Sequence, residues 1–160
     1  MLKINDYVHH KHSGVCIVQD IAPLIPDSPL LYYQMKPLYG EDKGTVLRIP
    51  VTNVSSLSPL LTKKEANEII AAWPRGKDLY EVDSKKRKAE YEQAIVTGNY
   101  RSYPKLLEGI RQKKAKEGHL NSMDQQFYVR ALPLLYGELA QALGLNYEDV
   151  DDYILSKASS

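Results

Sequence analysis

The sequence predicts an α+β protein with its two kinds of structure segregated: a small β-barrel first, then a bundle of about five α-helices. Three observations predict it. Residues 1–61 hold short β-favouring runs broken by Gly, Pro and Asp turns. Residues 62–160 hold apolar side chains at helical spacing. The change falls at Thr62-Lys63-Lys64-Glu65, a capping-box sequence. Two domains are therefore expected, a β domain over 1–61 and a helical domain over 62–160. A barrel of that length is marginal alone, so support from the helices is expected.

The elements follow in order. Tyr7-Val8 and residues 15–18 (VCIV) flank the turn His12-Ser13-Gly14. Residues 23–29 (PLIPDSP) carry Pro23, Pro26 and Pro29, so they read as a loop. Residues 30–35 (LLYYQM) form a tyrosine-rich strand, residues 40–44 a hairpin loop, and residues 45–49 a strand stopped by Pro50. Residues 54–57 supply a last short strand.

Thr62 caps the first helix, which Pro74 and Gly76 end. Ser84 is placed to cap the second, with Gly98 just past its end, and Ser102 precedes a third with Pro104 in its first turn. Ser122-Met123-Asp124-Gln125 reads as another capping box, opening a run that Gly144 closes. Pro133 inside that run should kink it or cut it in two. Asn146 caps the last helix, with Glu148 and Asp149 favourable in its first turn. The expected apolar stripe is Ile69, Ile70, Tyr91, Ile95, Leu106, Leu107, Ile110, Phe127, Leu132, Leu135, Leu139 and Leu143.

Composition excludes several classes of function. At 43% hydrophobic and 26% charged, the 160 residues are ordinary for a globular protein. No apolar run is long enough to span a membrane, and MLKINDYVHH lacks the core of a signal peptide, so a cytoplasmic location is expected. A single Cys16 rules out an internal disulfide and a Cys-built zinc site. GxxxxGK[ST], GxGxxG and GxSxG are all absent. His9-His10-Lys11-His12 places His10 and His12 on one strand face, short of the third or fourth ligand that a stable metal site needs; it reads as a polar strand end. Cys16 reads as a buried small residue, and residues 148–152 (EDVDD) lack the spacing of a calcium loop. No enzyme activity, cofactor or metal is expected.

The charge distribution is more informative than its sum. The net charge is +1, but residues 85–116 hold ten basic against three acidic side chains, net +7, and residues 117–160 are net −5. Such a basic segment attracts phosphate, or is a solvated helical face. Twelve tyrosines against one Phe and one Trp suit half-buried or interface positions. Trp73, at the end of the first helix, either seals the junction of the two domains or serves as an exposed wedge.

The order of these elements resembles the CarD-like (CarD/CdnL) transcription regulators, whose N-terminal domain is shared with the RNA-polymerase-interacting domain of the transcription-repair coupling factor. The residues that carry the resemblance are Ile4-Asn5-Asp6-Tyr7-Val8, then Lys11-His12-Ser13-Gly14-Val15, then Val46-Leu47-Arg48-Ile49-Pro50 followed by Asn53. In the second half they are Lys85 to Lys88, Thr97-Gly98-Asn99, Arg111 to Lys114, and Gly137-Glu138-Leu139-Ala140. Two departures change turns: Asn5 stands where the family has glycine, and Lys11 where it has proline. A third concerns the tryptophan that similar proteins insert into the DNA minor groove. Its place falls near Asp83 or Tyr80, and Trp73 lies earlier.

The resemblance implies a Tudor/SH3-like barrel that docks on the RNA polymerase β subunit, with Val46, Leu47, Arg48 and Ile49 at the contact. It implies a helical domain on upstream promoter DNA, touching backbone and minor groove with little sequence preference and stabilising the open complex. Lys85 and Lys88 match basic positions there; Lys86, Arg87, Arg111, Lys113 and Lys114 join them on charge, and Trp73 and Tyr80 are the candidate wedges. The expected function is that of a bacterial transcription-initiation regulator. The alternative is a polymerase-bound adaptor whose helices bind another protein. No small-molecule substrate or membrane partner is expected.

Overall fold

The computed structural model describes residues 1–76 and 78–158. Its N-terminal part is a single curled antiparallel sheet, a half-barrel, with strand order β4-β3-β2-β1-β5. β1 (Tyr7–His10) and β2 (Gly14–Pro23) meet at the expected turn, where Gly14 takes φ +75°. β2 runs on past the expected residues 15–18 to pair with β3 (Leu31–Pro37) as far as Pro23↔Leu31, with a register shift between Val18 and Asp20. β4 (Leu47–Pro50) pairs with β3, and β5 (Leu57–Ser58) with β1. Val8, Cys16, Val18, Tyr33 and Met35 fill the inner face, with Leu47, Ile49 and Leu57 at its margin.

Five α-helices follow. At α1 (Lys63–Ala71) the capping box forms as read: Glu65 N–H donates to Thr62 Oγ1 (3.1 Å) and Thr62 N–H to the Glu65 carboxylate (3.0 Å). α2 (Ser84–Thr97) is capped by Asp83 rather than Ser84, because the Asp83 carboxylate accepts from the Lys85 and Lys86 amides and Ser84 becomes the first helical residue. Ser102 stands before α3 (Tyr103–Glu117) without a capping bond; its hydroxyl donates to the Asn99 carbonyl instead. α4 (Ser122–Leu143) is capped by Asn121, one residue earlier than read. It runs unbroken through Pro133, so the proline does not cut the run in two. A proline removes one helical N–H, and here α4 is braced along its length by β2, α1, α2, α3 and α5. A 3-10 turn, Tyr147–Asp149, leads into α5 (Val150–Ala158).

The helical core contains Ile69, Ile70, Tyr91, Leu107, Ile110, Phe127, Leu135 and Leu139, with Ile95, Leu106, Leu132 and Leu143 packed at its margin. The whole expected stripe is therefore inside or against the core. Trp73 belongs there too, 6% exposed. It is a core residue and not an exposed wedge, because the chain turns at its C-terminal side and lays the indole against Tyr136.

The sheet and the helices meet along α4, and glycines set how closely. A Cβ on Gly137 would stand 2.6 Å from the Tyr39 ring, and a Cβ on Gly40 would stand 2.9 Å from Pro133. Both distances are below any real contact, so each glycine is required by the other side. Glu138, fully buried, adds a polar tie. Its Oε2 accepts from the Leu61 N–H (2.9 Å), and its Oε1 lies 2.9 Å from His9 Nδ1 on β1. The Tyr100 hydroxyl hydrogen-bonds to the same imidazole.

Candidate interaction surfaces

β4 ends the sheet, so one of its edges has no strand partner among the described residues. The phase of that edge follows from one bond. Val51 N–H donates to the Leu31 carbonyl (3.1 Å), so Leu47, Ile49 and Val51 turn their backbone groups toward β3. Arg48 turns its N–H and C=O to the open edge, and Pro50 there offers a carbonyl only. The side chains divide the same way: Leu47 and Ile49 pack on the sheet core, while Arg48 is exposed on the opposite face. Val46, 39% exposed, stands just before the strand. An edge with exposed main-chain groups and one cation beside them can add a strand from an acidic partner.

The basic residues divide into two groups. Lys85, Lys86, Lys88 and Lys114 are exposed. Arg87 is not on that surface, contrary to the sequence reading: it is 4% exposed, and its Nε lies 2.9 Å from Asp124 Oδ1. The reason is helical phase, since Arg87, Tyr91 and Ala94 form the buried face of α2. Arg111 is half-buried and held by Asp151 (2.6 Å) and the Tyr136 hydroxyl (3.0 Å). Lys113 pairs with Glu117 one turn on. Tyr80 donates its hydroxyl to Asp124 (2.7 Å), with Arg87 and Lys113 standing 4.6 and 5.0 Å from its ring centre. Its hydroxyl is pushed up to about 12, by burial first and by the Asp124 carboxylate next. A ring so anchored is not poised to insert between bases.

Asp124 is the hub of this region. It accepts from Arg87 Nε and Nη2 (2.9 and 3.3 Å), Tyr91 (2.6 Å) and Tyr80 (2.7 Å) while 1% exposed. Burial alone would raise its carboxyl; the bonds from Tyr91, Tyr80 and Arg87 outweigh burial and hold it below the usual range. α2, α4 and the segment before α2 are thereby joined.

The histidine cluster is taken up by the fold. His9 faces Glu138, and His10 Nδ1 accepts from the amides of His12 (3.3 Å) and Ser13 (3.2 Å), shaping the β1–β2 turn. Burial, with His12 and His9 nearby, holds His10 below its ordinary value, which keeps Nδ1 an acceptor. Cys16 is fully buried, and burial pushes its thiol up to about 12.

Residues 2–61 match the family model described as the CarD-like/TRCF RID domain. The match spans every strand of the sheet and stops where Glu138 grips Leu61. The sheet is a CarD-like RNA-polymerase-interacting domain. That makes the chain an RNA-polymerase-interacting protein. A comparison with curated proteins finds no match. In this CarD-like chain the sequence reading named Glu138, Asp124 and His9 but not the buried contacts they make. The signal available for Glu138 was its place inside a largely apolar helical run, where an unpaired carboxylate would be costly; Asp124, in the polar first turn of α4, carried none.

Proposed function

We propose that this protein is a bacterial regulator of transcription initiation that holds the RNA polymerase β subunit with its sheet and upstream promoter DNA with its helices, stabilising the open complex. The open β4 edge in a domain of the polymerase-interacting family carries the reading. On it, Arg48 pairs with acidic side chains of the β subunit while its main chain extends a polymerase strand, and Val46, Leu47 and Ile49 support the contact. The units are residues 1–61 and 62–160, docked through α4 and not loosely tethered. Polymerase binding then delivers the helices to DNA at a raised effective concentration.

The DNA contacts fall to Lys85, Lys86, Lys88 and Lys114, with Lys113 and Arg111 secondary because they already have acidic partners. Arg87 is a structural residue in this account. Phosphate contacts of this kind position without reading sequence. Stabilising an open complex further requires tighter binding to melted than to closed promoter, since equal affinity shifts no population.

A second reading is an adaptor whose helices hold another protein, favoured by the burial of Trp73, which leaves the helices without a tryptophan wedge. One experiment separates them. Purified polymerase is bound to the protein and to Arg48→Glu, and open-complex lifetimes are then measured with each. The regulator reading expects binding that Arg48→Glu loses, and a longer lifetime with the unaltered protein only. Binding with no change in lifetime supports the adaptor, and no binding at micromolar concentration removes both.

A further inference from the structure

We propose that the phosphate-binding track does not end on α2 but crosses onto the sheet, where Lys11 of the β1–β2 turn, Lys88 of α2 and Arg130 of α4 grip one stretch of DNA backbone. This rests on the DNA reading above and extends it to residues of both units.

A groove of about 460 Å³ runs between the β1–β2 turn and helices α2 and α4. Lys11, His12, Lys88 and Arg130 stand along it, with Gln126 between them and Glu92 as its one acid. The three long cations come from three separate elements, and all are exposed. None of them forms an ion pair among the described residues. Three converging cations against the single acid Glu92 leave a net positive groove that favours an anion from outside. A solvated helical face does not account for them, because they belong to no common helix.

The arrangement fits a linear polyanion. Lys85 precedes Lys88 by three residues, almost one helical turn, so the two share a side of α2 and the line of charge runs from α2 into the groove. The floor is partly apolar, with Ile95, Met123 and Phe127, and can lie against deoxyribose while the ammonium and guanidinium groups reach phosphates. The track exists only while the turn and the helices keep their spacing. The close approach at Gly137 and the buried Glu138 keep it.

The test is binding of the full chain to a fluorescently labelled duplex over a series of salt concentrations. The variants are Lys11→Ala with Arg130→Ala, and separately Lys85→Ala with Lys86→Ala. Each lost phosphate contact lowers the log–log salt slope by roughly 0.9. The first pair is therefore expected to lower it by about 2, with its urea midpoint unchanged because both residues are exposed. A slope unchanged in the first pair but lowered in the second overturns the extended track and leaves the DNA reading intact. No DNA binding, or binding that neither pair alters, overturns both. Tighter capture of a labelled Glu-rich peptide than of DNA, lost in the first pair, overturns the extended track in favour of an acidic protein partner.

Discussion

Replacing Asp124 with Asn should cost about 3–5 kcal/mol of folding stability, the range for removing one partner of a buried ion pair. The magnitude follows from what is left behind. Arg87, 4% exposed, keeps its charge and loses the carboxylate charge that balances it; besides the one amide oxygen of Asn, its acceptors are the Glu81 and Val82 carbonyls. Asn offers one acceptor oxygen where Asp124 offers two, so an amide NH2 replaces the oxygen that accepts either from Tyr80 and Arg87 Nη2 or from Tyr91 and Arg87 Nε. With a urea slope of about 2 kcal/mol/M, a loss of 4 kcal/mol moves the midpoint down by about 2 M. The assay is equilibrium urea unfolding of the full chain followed by circular dichroism. Arg87→Met together with Asp124→Leu removes both charges and should cost less than the two single changes added, because those two sites share one interaction. A midpoint shift for Asp124→Asn equivalent to under about 1 kcal/mol would put the pair in the class of surface salt bridges and refute the reasoning.

Other consequences are testable alongside it. Asp124 titrates below its unfolded value of about 3.9, so its contribution is full above that pH and fades as pH falls through the lower folded value; the stability gap between the unaltered protein and Asp124→Asn should narrow on acidification below pH 4, as urea midpoints will show. Gly40→Ala and Gly44→Ala both place a Cβ at positive φ, costing roughly 1–2 kcal/mol each. Only the first meets Pro133, so it should cost at least about 1 kcal/mol more, and equal melting shifts would deny the close joint. Glu138→Leu should cost about 1–3 kcal/mol and speed hydrogen exchange of the Leu61 amide, while Glu138→Gln, which keeps an acceptor, should do less. Cys16 should resist alkylation at pH 8 in the native protein and react once it is unfolded.

Local features were legible in the sequence and distant ones were not. The Thr62 capping box formed as read because all its atoms lie within four residues, whereas the caps of α2 and α4 fell one residue earlier because Asp83 and Asn121 outcompete the neighbouring serines for the same amides. The strands were found from tyrosines and turns, but the order β4-β3-β2-β1-β5 and the free edge needed the pairing itself. Arg48 could be singled out from the run in which it stands. That Arg87 would be buried while Lys85, Lys86 and Lys88 stay exposed depended on the rotation of α2, and composition carries no phase. Asp124 and Glu138 act on partners 37 and 77 residues away, which no local pattern reveals. Pro133 does not cut α4 in two because its local cost is offset by packing on several sides.

The central claim is that the β4 edge receives polymerase. Amide hydrogen exchange resolved at β4, with and without purified RNA polymerase, tests it most directly, because the Arg48 N–H faces the open edge and has no strand partner there among the described residues. The account predicts that the Arg48 amide exchanges readily in the free protein, becomes protected in the complex, and stays unprotected when Arg48→Glu is mixed with polymerase. Protection that appears elsewhere on the chain while the Arg48 amide keeps its free exchange rate would contradict it.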